Sequence, residues 1–370
     1  MLRRLVTALA ASAAGSLASA APAGPPAAPP APVVGVVDGR QLVKDCLPWS
    51  PRGLSFFGRI APAGRPLPPD VAAARAAFSH WTVDAVRAFG GDTMRLQAGL
   101  PFLDPASPQY EAAYLDDLRE AVRMARADGL VVILSLQWER RTGVEPVETT
   151  PQGAALRAWG RLAPPFANDL GVAFELFNEP VGKPTPGLPQ WEAWRAGHQA
   201  IVDDLRRRGV RNLLIVDGTN SARVLEGAPA LHDPLGQLAY AVHPYFREDL
   251  RTPQDWDARF GAFARSHPVL VSEWSHGAAQ CPVSDAGTVA AFVDWLAARR
   301  IGLIGFGADE PRGGRLLRTV DGRFAATSYR AGACTGPDAG PGEHVRRLFA
   351  FLAEADARAV PAQPARCMQR

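Results

Sequence analysis

The sequence predicts an α/β fold, a (β/α)8 TIM barrel forming one domain, and three observations carry that expectation. Short apolar, β-branched runs recur eight times, and amphipathic helical stretches lie between them. Several of these runs are apolar at nearly every position, as parallel strands covered on both faces must be. The first run is followed by Gly58-Arg59-Ile60-Ala61-Pro62 rather than G-x-G-x-x-G, so the usual mark of the competing doubly wound open sheet is missing.

Taken in order, residues 1–20 read as a signal peptide. Arg3 and Arg4 make a basic start, residues 5–17 are small and apolar, and Ala18-Ser19-Ala20 is a cleavage site of the A-x-A kind. The apolar run is too short, and too rich in Ala, Ser and Gly, for a membrane anchor. A secreted or periplasmic protein without a membrane span is therefore expected. Residues 21–33 are almost entirely Ala, Pro and Gly and form a linker that buries nothing. The barrel domain is expected over 34–356 and a tail over 357–370. Strands are predicted at 52–57, 93–97, 131–137, 172–179, 212–217, 238–245, 269–274 and 302–308. Helices are predicted at 71–89, 110–127, 191–208, 286–300 and 343–353.

Composition narrows the class. Hydrophobic residues make up 47% and charged ones 21%, values of an ordinary globular enzyme. Two of the charges behind the net +3 sit in the leader, and the remaining arginines are dispersed, which argues against a nucleic-acid partner. A monomer is expected.

In such a barrel, function gathers at the carboxyl ends of the strands. The run Val172 to Glu179 ends in Asn178-Glu179 and is stopped by Pro180, which cannot continue a central strand. A second run, Val269 to Trp274, delivers Glu273 in the same way. Two glutamates at strand ends are what glycosidic bond cleavage requires, one as proton donor and one as nucleophile or base. Arg95 lies inside an apolar strand, which demands a carboxylate partner. Strand three ends Gln137-Trp138-Glu139 and strand six ends His243-Pro244-Tyr245. Trp138 and Trp274 follow strand ends and are expected to be stacking platforms, whereas Trp191, Trp194 and Trp295 fall in helical patterns and should pack against the barrel.

Phe177-Asn178-Glu179-Pro180, with Arg95, His243-x-Tyr245 and Glu273 in this order, resembles the family 5 glycoside hydrolases, the cellulase-A-like family of the barrel clan. The likeness runs from about residue 34 to 353 and includes Arg52-Gly53-Leu54-Ser55-Phe56-Phe57-Gly58. It implies Glu179 as acid/base, Glu273 as nucleophile and Asn178 as the partner of the sugar hydroxyl next to the reacting carbon. It further implies that Arg95 and Tyr245 hold Glu273 ionised and aimed, and that His243 lines the cleft beside the acid/base. No metal or organic cofactor is called for. The chain departs from the family at strand three, where a histidine is usual and Leu136-Gln137-Trp138 stands. It departs again at strand eight, where Phe306 replaces a tryptophan platform. The implied function is a secreted retaining β-glycosidase acting on a polysaccharide or oligosaccharide, an endo-β-1,4-glucanase first of all. A β-mannanase or exo-β-glucosidase of the same family is the alternative, as is, from another class, a non-catalytic carbohydrate-binding barrel.

Cys46, Cys281, Cys334 and Cys367 are an even set without a C-x-x-C pair, which favours two disulfides over a zinc site. Cys281 follows strand seven and Cys334 follows strand eight, at the active-site face. Cys46 and Cys367 flank the barrel at its other end. The expected pairs are Cys281–Cys334 and Cys46–Cys367.

Overall fold

A computed structural model describes residues 32–181, 191–247, 249–276, 286–306, 316–320, 323–328 and 340–360. Eight parallel strands close into a barrel. In chain order, strands 1 to 8 are Arg52–Phe56, Thr93–Gly99, Val131–Gln137, Val172–Glu175, Leu214–Asp217, Leu238–Val242, Val269–Trp274 and Leu303–Gly305. Closure is made by strand 8 pairing with strand 1, Leu303 opposite Arg52 and Gly305 opposite Leu54. Every expected strand is present. Strands 4 and 6 stop short of the predicted ends, so that Asn178, Glu179, His243 and Tyr245 lie just beyond the ladder, and the predicted end of strand 8 at 307–308 lies outside the described residues.

The long helix expected over 71–89 is two, Pro69–Ala77 and His80–Ala88. Ser79 separates them with an extended backbone and caps the second helix reciprocally with Thr82, the capping-box arrangement. A helix at Gly153–Leu162 was missed by the sequence reading; it buries Ala154, Ala155, Ala158, Trp159 and Leu162.

Also unforeseen is a hairpin ahead of the barrel, Val34–Val37 paired with Gln41–Lys44. It plugs the amino-terminal end of the barrel. Val34 N–H donates to Leu170 O at 3.0 Å, and the Gln237 amide bonds Val36 N and O at 2.8 and 2.9 Å. Leu170 and Gln237 immediately precede strands 4 and 6. Val34, Val36, Leu42 and Trp49 thereby join Ile133, Ile215, Ala241 and Leu270 in an apolar layer inside the barrel. A buried ion cluster fastens the same end: Arg52 reaches Asp92 at 2.8 Å and Asp356 of the helix Gly342–Ala357 at 2.6 Å.

Cys46, the one described cysteine, is not a free thiol. Cys281, Cys334 and Cys367 lie outside the described residues, as do the leader 1–20 and most of the 21–33 linker. No described helix is long and apolar enough to cross a membrane.

Candidate active site

Side chains on one face of a strand recur every second residue, and two residues above the apolar layer the barrel interior turns polar. Ile133 gives way to Ser135, Ala173 to Glu175, Ile215 to Asp217, Ala241 to His243 and Leu270 to Ser272, all buried. Arg95 lies at the centre, fully buried. Its Nε donates to Glu175 Oε2 at 2.6 Å. Nη1 donates to Ser55 Oγ at 3.1 Å and Glu273 Oε2 at 2.7 Å, and Nη2 to Ser135 Oγ at 2.9 Å and Asn178 Oδ1 at 2.5 Å. Those five bonds use all five donors of a guanidinium. Burial by itself disfavours its charge, but Glu175 and Glu273 outweigh that and hold Arg95 firmly cationic.

Glu175 was not singled out from the sequence. A carboxylate inside the apolar run 172–177 was the signal available, since Arg95 needed a partner. Burial works against its ionisation, and the charge of Arg95 reverses that and holds it well below the usual carboxylate range. Asp217 behaves oppositely: burial and the adjacent Glu175 charge push its carboxyl well above the usual range. Glu175 Oε1 is buried 3.8 Å from His243 Nε2, and neither it nor the buried Asp217 Oδ1 takes a hydrogen bond.

Above this layer stand the two glutamates named from the sequence. Tyr245 Oη donates to Glu273 Oε1 at 2.9 Å. Burial raises the Glu273 carboxyl, but the positive charges of His243, Arg95 and Arg141 and the Tyr245 bond bring it below its ordinary value. Glu179 caps strand 4 with φ 48°, a left-handed conformation that a non-glycine residue keeps only when its surroundings enforce it. Its N–H is held by Asp217 Oδ2 at 3.0 Å and its Oε1 by His243 Nδ1 at 3.0 Å. The His243 ring also meets Ser272 Oγ at 2.9 Å. Burial would discharge this ring, yet the carboxylates around it, Asp217 and Glu273 with Glu175 and the bonded Glu179, raise it well above the ordinary histidine value. A carboxyl oxygen of Glu179, one of Glu273 and a ring nitrogen of His243 all lie within 4.8 Å of one another. That trio, and Glu175 with Asp217 and His243, are the sets close enough to share a cation among the described residues. Arg95 already supplies a positive charge to Glu175 and Glu273.

Asn178, Arg95, His243 and Tyr245 thus converge as the sequence suggested. The tryptophans do not. Trp274 is fully buried against Phe246 and Phe292, and Trp138 is nearly so, stacked on Phe177 with its Nε1 donating to Asn178 O at 2.5 Å. Neither offers a face to a sugar; both brace the strand ends. Arg141 and Glu139, which the sequence reading did not select, stand in the cleft instead. The Arg141 guanidinium lies 4.9 Å from the ring centres of both Phe57 and Phe306. The Glu139 carboxyl accepts from Asn178 Nδ2.

Two neighbouring carboxylates at the ends of strands 4 and 7 of a parallel barrel, with an arginine beneath them, are the arrangement of the barrel glycoside hydrolases. The family model for cellulase, glycosyl hydrolase family 5, matches residues 76–310, and the chain belongs to that family. Comparison with curated proteins finds no sequence match. Among solved structures, the fold is similar to a β-glucanase of Saccharophagus degradans, with TM-score 0.63 and 20% identity over 88% of this chain and 94% of that one. A Thermobifida fusca endoglucanase catalytic domain gives TM-score 0.58 and 18% identity over 86% and 97%. A xyloglucanase of Paenibacillus pabuli gives 0.60 and 15% over 82% and 98%.

Proposed function

We propose that this chain is an exported, retaining endo-β-1,4-glucanase that needs no metal or organic cofactor. The observation that carries retention is the approach of the Glu179 and Glu273 carboxyl oxygens to within 4.8 Å. Retaining pairs stand about 5–5.5 Å apart, whereas inverting pairs leave about 6.5–9.5 Å for a water. Glu273, kept ionised by the cations around it and aimed by Tyr245 and Arg95, attacks the anomeric carbon and forms a glycosyl ester. Glu179 protonates the departing oxygen, then deprotonates the water that opens the ester. His243 holds Glu179 in place, and Asn178 bonds the hydroxyl beside the reacting carbon. Support for a β-1,4-glucan comes from the glucanase-like fold; the S. degradans enzyme is known in complex with cellotetraose. Export rests on the leader at 1–20 and the even cysteine set.

The test is incubation of the purified protein with β-glucan, mannan and aryl glycosides, reading reducing ends and, by NMR, the first-formed anomer. A β-anomer from a β-glucan is expected. An α-anomer contradicts retention, faster mannan cleavage moves the substrate to the mannanase alternative, and binding without cleavage makes the barrel a lectin.

A further inference from the structure

The end of strand 3 is where this chain lacks the family's histidine, and there the structure puts an unassigned carboxyl against a residue of the site. Asn178 is fixed on every side. Its backbone N–H donates to Leu136 O at 2.9 Å, its carbonyl accepts from Trp138 Nε1 at 2.5 Å, and its Oδ1 accepts from Arg95 Nη2 at 2.5 Å. The arginine donor settles which side of the amide is oxygen, because a guanidinium only donates. The Nδ2 group therefore points away from Arg95, and one of its two hydrogens goes to Glu139 Oε1. Glu139 Oε2 is buried and takes no partner.

We propose that Glu139 is a positioning residue that aims the second N–H of Asn178 at the sugar's 2-hydroxyl. This rests on the glycosidase reading above. With one N–H pinned by Glu139 and Oδ1 pinned by Arg95, the amide plane has no freedom left, and the remaining N–H has a fixed direction. Such pre-alignment matters because a hydrogen bond to this hydroxyl strengthens in the transition state.

The electrostatics suit the role. Burial first, then the charge of Glu179 and more weakly that of Glu273, push the Glu139 carboxyl up to about 8, against the opposing bond from Asn178. Glu179 and Glu273 reach it from the ends of strands 4 and 7. On its own segment, Arg140 is paired with Glu145 at 3.0 Å, and Arg141 stacks on Phe57 and Phe306. These causes favour the neutral acid, in which Glu139 accepts from Asn178 without placing a third negative charge beside the catalytic pair.

The experiment compares Glu139→Ala, Glu139→Gln, Asn178→Ala and the Glu139→Ala/Asn178→Ala double variant on an aryl β-glycoside and its 2-deoxy analogue, with melting curves for each protein. Glu139→Ala is expected to lower kcat/KM on the parent by about 10–100-fold, below the cost of losing a direct transition-state donor, and on the 2-deoxy substrate by less than about threefold, since there is no hydroxyl left to aim at. The double variant should match Asn178→Ala, and Glu139→Gln, which keeps an acceptor oxygen, should recover most of the loss. Equal losses on both substrates, or additive losses in the double variant, overturn the proposal. Calorimetric binding of an oligosaccharide and its 2-deoxy analogue to the same proteins gives the ratio without turnover. A wild-type protein that hydrolyses nothing therefore defeats the hydrolase reading, while this ratio still decides the role of Glu139.

Discussion

Two layers inside the barrel lie one side-chain repeat apart on the same strands, yet they do opposite work. The lower layer, with Ile133, Ala173, Ile215, Ala241 and Leu270 resting on the hairpin's Val34 and on Trp49, is wholly apolar. The upper one holds Ser135, Glu175, Asp217, His243 and Ser272 around Arg95, equally buried but polar or charged. Apolar burial stabilises at about 25 cal/mol per Å², whereas buried ion pairs at best break even against hydrophobic replacements. The fold is therefore held from below and above the strands' outer faces, and the upper layer draws on that support to keep ionised groups where no water can rearrange them. Fixed charge of this kind costs no reorganisation when charge develops during reaction.

The sharpest way to break the comparison is Glu273→Ala. Turnover is expected to fall on the order of 10⁵-fold, the scale of losing a nucleophile, while the melting temperature falls by less than in Arg95→Met, because Arg95 keeps Glu175 as a partner at 2.6 Å. Azide should restore cleavage and give the α-azide from a β-glycoside. Rescue with that product from Glu179→Ala instead would exchange the two roles.

Arg95→Met is expected to act on both layers' accounts at once. By resemblance to the family, the sequence put only Glu273 in view as the partner of Arg95. The structure adds Glu175, fully buried at 2.6 Å, and removing one member of a buried pair costs about 3–5 kcal/mol. Denaturant titration should show that loss. In whatever fraction folds, Glu273 loses a cation that holds its carboxyl down. Its pKa rises, so the acidic limb of the pH–rate profile moves to higher pH. A stable variant would mean that Glu175 simply takes up a proton.

For the lower layer the expectation is inverted. Leu270→Ala should cost about 2–5 kcal/mol and leave kcat as it was at temperatures where the protein is folded. A kcat change above a few-fold would mean that the apolar layer tunes the site rather than only supporting it.

The strands and the two converging glutamates were legible because they follow from rules of local order: eight apolar runs, proline after Asn178-Glu179, a carboxylate closing strand 7. Arg95 announced its need for a partner, but not which one, since Glu175 sits in the middle of an apolar run and only strand register brings it within 2.6 Å. The tryptophans misled for a related reason. Trp138 and Trp274 stand at strand ends, but the strand's pleat sends Trp274 outward beneath Phe246 and Phe292, opposite to its neighbour Glu273. Position along a strand was readable; which face of the wall a bulky side chain takes depends on what packs there. The hairpin at 34–44 was hidden by its shortness, and Glu139 by its place beyond a strand end, where sequence patterning gives no direction.

The smallest expected effect belongs to Tyr245→Phe, and it measures how much of the site's order comes from charge. Burial first, then the Glu273 and Glu179 charges, raise the Tyr245 hydroxyl well above its ordinary value, so it stays a neutral donor throughout the working range. Its bond favours the ionised form of Glu273, and a hydrogen bond to a charged group contributes about 1.5–3 kcal/mol. Losing it should lower kcat about tenfold. The Glu273 carboxyl rises, so activity now fails at a higher pH as the solution is acidified, by less than in Arg95→Met. Stability should fall by no more than that bond, because phenylalanine fills the same space. The pH–rate profiles of the two variants on one aryl glycoside give the ranking. Should the tyrosine variant shift the acidic limb further than the arginine variant, then Glu175 consumes the charge of Arg95, and the phenol rather than the guanidinium sets the ionisation of the nucleophile.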